Sequence, residues 1–173
     1  MIAGQATVGL EIAAQAADEG VAVGDVLVCT GGGGLAAGIA LALEAEAPGL
    51  RVRSAEPAGF DDVARSLAAG ERVGNDRATG SVCDAILTPR PGAMTFPILQ
   101  RLAGPGFAVS DEEALRAVAL AFRHLKLVLE PGGAVALAAA LFRGGEIAGD
   151  AVVCVATGGN VEAELFARAI REG

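Results

Sequence analysis

The sequence predicts an α/β fold, an open parallel twisted sheet flanked by helices. Three observations lead there. Short runs of strand type alternate with longer runs of helical period, at a spacing that suits parallel strands joined by crossover helices. The run "DVLVCT" at 25–30 is apolar enough to be buried on both faces, as a central parallel strand is. Glycine clusters at 31–34 and 158–159 follow two of the strands directly, at the end where open α/β sheets bind ligands.

The elements follow in order. Residues 6–18 predict a helix, largely apolar, with Glu11, Gln15 and Asp18 outside and Gly20 to Gly24 closing it. After the strand 25–30 and the glycines, Leu35 to Ala47 predicts a second helix, ended by Pro48-Gly49. "LRVRSAEP" alternates like a strand and stops at Pro57, and 60–70 reads as a helix closed by Gly70. The stretch 71–92 is less regular, with "SVCDAIL" as a short strand and "TPRPG" as a turn. Residues 93–102 read as a helix and "GFAVS" as a short strand. Ser110 and Glu113 then form a capping box, S-x-x-E, and Leu115, Val118, Phe122 and Leu125 share one face of the helix it starts. Another helix begins near Ala134 and ends at Gly144-Gly145. "AVVCVAT" is the last strand, and Val161 to Arg171 the last helix. No repeat or linker divides the 173 residues, which suffice for one domain with a real core.

Charge and composition narrow the function. The net charge of −8 disfavours nucleic acid or an anionic membrane as partner, since either normally needs a basic face. Anionic small molecules stay admissible, because backbone dipoles can hold them. Cys29, Cys83 and Cys154 include no C-x-x-C pair and suit a reducing compartment, hence the cytoplasm. Cys29 and Cys154 lie in apolar runs and read as small core residues. The N-terminus "MIAGQATVGLEIAAQ" has no basic start, and Glu11 breaks its apolar run, so no signal peptide is expected. The chain has one lysine, Lys126, and one histidine, His124, both read as surface residues of the capped helix.

The run "VLVCTGGGGLAAGIALAL" carries the chemistry, and it has three readings. It has the length of a membrane span, but four consecutive glycines would cost a helix about 1 kcal/mol each. Gly31, Gly33 and Ala36 fit the dinucleotide fingerprint G-x-G-x-x-A, with Glu56 near the expected ribose-binding position. That fingerprint usually sits on the first strand of its domain, and it leaves "TGGN" unexplained. The third reading is a cup of backbone N–H groups around one phosphate, at the start of the helix 35–47.

The motif "GGGGLAAG" resembles the phosphate loop of fold-type-II pyridoxal phosphate (PLP) enzymes, in the threonine/serine dehydratase and serine racemase group. "IAGQATVGLEI", "SAEPAGFDD", "LKLVLEPGGAVALAA" and "VVCVATGGN" resemble further segments of that group, in order and spacing, from residue 2 to about 161. The resemblance implies the large-domain part of the tryptophan-synthase-β-like fold, with residues 1–173 as a single PLP-binding portion. It implies PLP as cofactor, with the phosphate on the N–H groups of Gly31, Gly32, Gly33 and Gly34. Thr157 stands at the family's position for a group facing the ring nitrogen, Glu130 near the ring, and Asn160 in support of the last loop. Glu56, the Phe60 carbonyl and Asp62 match a divalent cation site, with hard oxygen ligands suited to Mg²⁺ or Ca²⁺. Read as residues alone, Asp61 and Asp62 could equally open a helix, Glu130 be a solvated turn residue and Thr157 a cap or core hydroxyl.

The resemblance covers only the family's carboxyl-terminal half. The motif with the Schiff-base lysine, S-x-K-x-R-G-A-like, is absent, as is the small domain, and Lys126 falls at a non-catalytic position. Ala85 stands where many relatives have glycine, which puts a backbone contact to the cofactor in question. The sequence ends soon after the last loop, so the short form of the family, without an appended regulatory domain, is expected. The implied function is part of a PLP-dependent ammonia-lyase that converts L-threonine or L-serine to a 2-keto acid and ammonia. The isolated chain is expected to be inactive and the full-length form a homo-oligomer, with a small amino-acid substrate and neither nucleic acid nor membrane as partner. The alternatives are an NAD(P)-binding Rossmann module and a non-catalytic homologue serving as an assembly partner.

Overall fold

The computed structural model describes residues 1–20 and 23–172. Four parallel strands form one sheet in the order β3-β2-β1-β4: β1 (Val23–Cys29), β2 (Arg51–Pro57), β3 (Phe107–Val109) and β4 (Ala151–Val155). Seven α-helices accompany them among the described residues: α1 (Ile2–Glu19), α2 (Gly34–Glu46), α3 (Asp62–Ala69), α4 (Phe96–Leu102), α5 (Asp111–Leu120), α6 (Pro131–Phe142) and α7 (Ala163–Glu172). Gly20 closes α1 in the left-handed conformation, whereas Gly24 belongs to β1; residues 21 and 22 of the expected closing segment lie outside the described residues.

The period-2 alternation of β1 separates two cores. Val26 and Val28 face a cluster with Ile12 of α1, Ile39 and Leu43 of α2, Val63 of α3 and Leu99 of α4. Leu27 and Cys29 face the other way, against Leu115 and Val118 of α5, the alanine-rich α6 and Ala169 of α7. Both faces are therefore covered, as the uninterrupted apolar run of β1 requires. Small side chains on α2 and α6 let these helices lie close over the sheet; Ala36, Ala37, Ala134, Ala136, Ala138 and Ala139 are all buried.

Three expectations are corrected. "SVCDAIL" is no strand: Asp84–Ile86 forms a single 3₁₀ turn. Both edges of β1 and β2 are already occupied, and the Asp111 carboxylate instead accepts from the Ser81 hydroxyl and the Val82 N–H. The capping box of α5 forms as expected, with both reciprocal hydrogen bonds present. Its apolar face, however, does not run on to Leu125. A π-helical turn at Ala121–Leu125 widens the spiral and rotates the later residues out of phase. Leu125 is consequently exposed, and Phe122 is partly exposed beside Phe166, ring edge to face at 5.3 Å. Lys126 terminates the segment with φ 61 rather than standing inside the helix.

Candidate cofactor site

At the carboxyl ends of β1 and β4 lies a hollow of about 250 Å³. Gly31 to Gly34, Leu35 and Ala36 form one side, and Ala85, Ile86, Thr88 and Thr157 stand around the rest. Thr30 fixes the entry to the glycine loop: its N–H donates to the Ala55 carbonyl at 3.0 Å and its hydroxyl to the Val28 carbonyl at 2.7 Å. Gly33 caps α2 with φ 85, a backbone conformation that other residues adopt only with strain. The first helical bond runs from Ala37 N–H to the Gly33 carbonyl. Among the described residues, no N–H from Gly31 to Ala36 has an acceptor. Six consecutive unpaired donors and the positive end of a helix dipole make a site for an anion with no basic side chain. That donor set fits the phosphate of PLP.

The structure brings Thr157 to this hollow with the four glycines. It does not bring Glu130 and Asn160 into its lining; these two meet behind it. The Glu130 carboxylate accepts from Asn160 N–H at 3.2 Å, and Glu130 N–H donates to the Gly158 carbonyl at 3.1 Å, so the pair braces the last loop. Cys29 also lines the hollow, its thiol pushed up by burial and partly offset by hydrogen bonds, including one with Thr157. Ala85 stands in the wall and is exposed. Lys126 lies elsewhere, its ammonium donating to the Arg123 carbonyl at 2.8 Å. The residues thus fit the cofactor's phosphate and offer no amine to its aldehyde.

Glu56 near the end of β2, Phe60 in the turn after it and Asp62 at the start of α3 lie outside this hollow. Sequence reasoning missed the local role of Glu56: its two carboxylate oxygens accept from Val63 and Ala64 N–H at 2.8 Å each, capping α3 from a neighbouring strand. Ser54 donates to it as well. Asp62 Oδ1 accepts from the Asn75 amide at 2.7 Å, while Asp62 Oδ2 is buried without a partner. Burial pushes Glu56 up to about 8, with the neighbouring Asp62 charge adding to the effect. Burial also raises Asp62. A carboxyl raised in the fold holds a proton that the unfolded chain releases near 4.5. Its contribution to stability is therefore full below that value and lost as pH rises toward 8. In a chelator, the melting temperature is expected to fall across this window, and Glu56→Gln to remove most of the slope. A flat profile in the unsubstituted protein would count against this assignment.

Two larger depressions, about 380 Å³ each, lie elsewhere. One, between α5 and α7, holds Asp111, already bonded to Ser81, and the Arg168–Glu172 ion pair. The other is lined mainly by small residues of α3 and the 103–106 turn. Neither gathers unpaired donors as the glycine loop does. Among the described residues, no helix is long and apolar enough to cross a membrane.

Residues 1–158 match the family model described as pyridoxal-phosphate dependent enzyme. The chain is 35% identical over 173 residues to L-threonine ammonia-lyase of Geobacter sulfurreducens, covering 100% of this chain and 42% of that one. It is 36% identical over 166 residues to serine racemase of Mus musculus, covering 94% and 47%. Among solved structures it is similar to a threonine deaminase of T.th., with a TM-score of 0.88 and 41% identity over 93% of this chain and 57% of that one. The chain spans about half the length of the curated relatives it matches. The parallel sheet, the phosphate-ready glycine loop and the match over residues 1–158 agree and do not favour the dinucleotide reading: the chain belongs to the pyridoxal-phosphate dependent enzymes of fold type II.

Proposed function

We propose that this chain is the phosphate- and ring-holding portion of a PLP-dependent ammonia-lyase that converts L-threonine or L-serine to a 2-keto acid and ammonia. The observation that carries the reading is the row of unpaired N–H groups from Gly31 to Ala36 beside a hollow that Thr157 also lines and whose described lining includes no lysine. PLP, when bound, supplies an electron sink for the carbon that loses its proton. The N–H groups of Gly31 to Gly34 and the α2 dipole bind its phosphate. The Thr157 hydroxyl, in the lining of the hollow, would serve the ring nitrogen as a neutral partner, and PLP so held would be a mild electron sink suited to eliminating a β-hydroxyl. Glu130 and Asn160 hold the loop that carries Thr157. The amine that engages the aldehyde comes from outside these 173 residues, so the chain by itself is inactive. We read the whole protein as a homo-oligomer of the cytoplasm; its three free cysteines suit a reducing compartment.

Calorimetric titration with pyridoxine 5′-phosphate, which has no aldehyde, tests the site. It is expected to bind, whereas pyridoxine does not, and the purified chain is expected to release no ammonia from L-threonine or L-serine. Binding of NAD(P) with no affinity for pyridoxine 5′-phosphate would overturn the cofactor assignment. Ammonia release would overturn the placement of the amine elsewhere.

A second site is favoured by the unpartnered Asp62 Oδ2. We read Glu56, the Phe60 carbonyl and Asp62 as ligands for Mg²⁺ or Ca²⁺: Glu56 Oε1 accepts from Val63 N–H alone and keeps a lone pair, whereas Oε2 already accepts from Ala64 N–H and the Ser54 hydroxyl. Either ion should raise the melting temperature near pH 8 and flatten the pH profile expected in chelator; no shift with either ion rules the site out.

A further inference from the structure

Glycine loops bind anions only if their peptide planes are turned the right way, and glycine itself imposes little on that choice. Here one carbonyl of the loop is held from behind. The Gly32 carbonyl oxygen accepts from the Thr95 hydroxyl at 2.6 Å and from the Gly92 N–H at 3.1 Å. Thr95 is 8% exposed and, like Gly92, does not line the hollow. Its hydroxyl also lies 3.2 Å from the Gly92 carbonyl, but a hydroxyl has one proton. The Gly92 carbonyl already accepts from Phe96 N–H at 3.0 Å, and the contact with Gly32 is much the shorter, so the proton belongs to Gly32. In a planar trans peptide the carbonyl and the following N–H point in opposite directions. No cis peptide is present among the described residues. Fixing the Gly32 oxygen against Thr95 and Gly92 therefore turns the Gly33 N–H away from them, toward the hollow. A flipped peptide would present a carbonyl oxygen to the anion instead.

We propose that Thr95 is a positioning residue for phosphate binding, which orients the Gly32–Gly33 peptide so that the Gly33 N–H donates into the hollow. This rests on the reading of the hollow as a phosphate site. The close packing is consistent with the role, since a Cβ built on Gly33 would lie 2.9 Å from Leu99 Cδ1 and 3.0 Å from Thr95 Oγ1. The loop and its brace therefore interlock without room for a side chain at Gly33.

Thr95→Val keeps the shape and removes the hydroxyl, and Thr95→Ser keeps the hydroxyl. Calorimetry on the chain should find pyridoxine 5′-phosphate bound roughly tenfold more weakly by Thr95→Val, the loss of one oriented donor, and within about twofold of the unsubstituted chain by Thr95→Ser. Amide NMR of the unsubstituted chain, titrated with inorganic phosphate, should move the Gly33 cross-peak among the furthest, and this needs no variant to fold. Equal affinity in Thr95→Val, failure of Thr95→Ser to retain binding, or a Gly33 cross-peak that stays still while its neighbours move would each overturn the proposal. If the unsubstituted chain binds neither phosphate nor pyridoxine 5′-phosphate, the site reading itself falls, a different outcome from a brace that does nothing.

Discussion

Replacing Asp25 by alanine is expected to destabilise the fold by about 3–5 kcal/mol, the largest single-residue effect outside the site. Asp25 is fully buried at the start of β1. Its carboxylate accepts from Arg53 Nη1 at 3.1 Å, from Arg51 Nε and Nη2 at 3.2 Å and from the Ala148 N–H at 2.9 Å. Arg53 is itself 4% exposed, stacked 3.8 Å over the Phe107 ring and donating to the Pro105 and Glu146 carbonyls. Removing the carboxylate leaves this guanidinium buried without a counter-charge, and the cost is that of the stranded charge rather than of one hydrogen bond. Arg51 is half in solvent, its side chain 49% exposed, so Arg51→Ala should cost within about 1 kcal/mol. Urea unfolding of the two variants measures the contrast. An Asp25→Ala midpoint close to that of Arg51→Ala would mean that water reaches Arg53.

Gly133→Ala is expected to cost about 3 kcal/mol or more and to weaken cofactor binding as well. A Cβ built on Gly133 would fall 1.5 Å from the Thr157 carbonyl oxygen and 2.8 Å from that of Gly158. Both obstacles are backbone, so no rotamer can relieve the contact. The approach is close because the first turn of α6 lies directly on the last loop: the Gly133 carbonyl accepts from Thr157 N–H at 3.2 Å and from the Cys29 thiol at 3.3 Å. A methyl there pushes Thr157 out of the wall of the hollow. Gly132→Ala is the control, since its Cβ would meet Ile86 Cγ1 at 3.4 Å, a flexible side chain. Its stability and its affinity for pyridoxine 5′-phosphate should stay near those of the unsubstituted chain. Equal behaviour of the two variants would show that the loop gives way more easily than its backbone contacts suggest.

Much of the architecture was legible in the sequence because it is written in short-range patterns. The four strands carry their own apolar alternation or density. Pro48-Gly49 and Gly70 mark helix ends, and Ser110 and Glu113 satisfy each other's backbone groups across a single turn. "SVCDAIL" shows where such patterns fail. Val82, Cys83, Ile86 and Leu87 suit a strand, but the segment pairs with no strand of the sheet; it forms a 3₁₀ turn, and Ser81 and Val82 bond to the Asp111 carboxylate, a partner that the pattern of one segment does not announce. Phe122 and Leu125 fail for a related reason. Their helical phase is right for an α-helix, and a π turn set by the tertiary path shifts it.

The site divides in the same way. The glycines at 31–34 announce themselves because backbone exposure and strand ends are local properties, whereas Thr157 was singled out only by the family resemblance. The sequence by itself therefore determined the fold class, a glycine loop at a strand end and the presence of a single lysine, Lys126. The partners of charged and hydroxyl groups were decided only in three dimensions. Asp25 finds Arg53 on the neighbouring strand, Glu56 caps a helix from outside it, Glu130 joins Asn160 in bracing the last loop rather than lining the hollow itself, and Thr95 reaches the Gly32 carbonyl 63 residues away. The reason is physical: a backbone turn is chosen by the residues within it, whereas a buried polar group is satisfied by whatever the packed chain brings within about 3 Å.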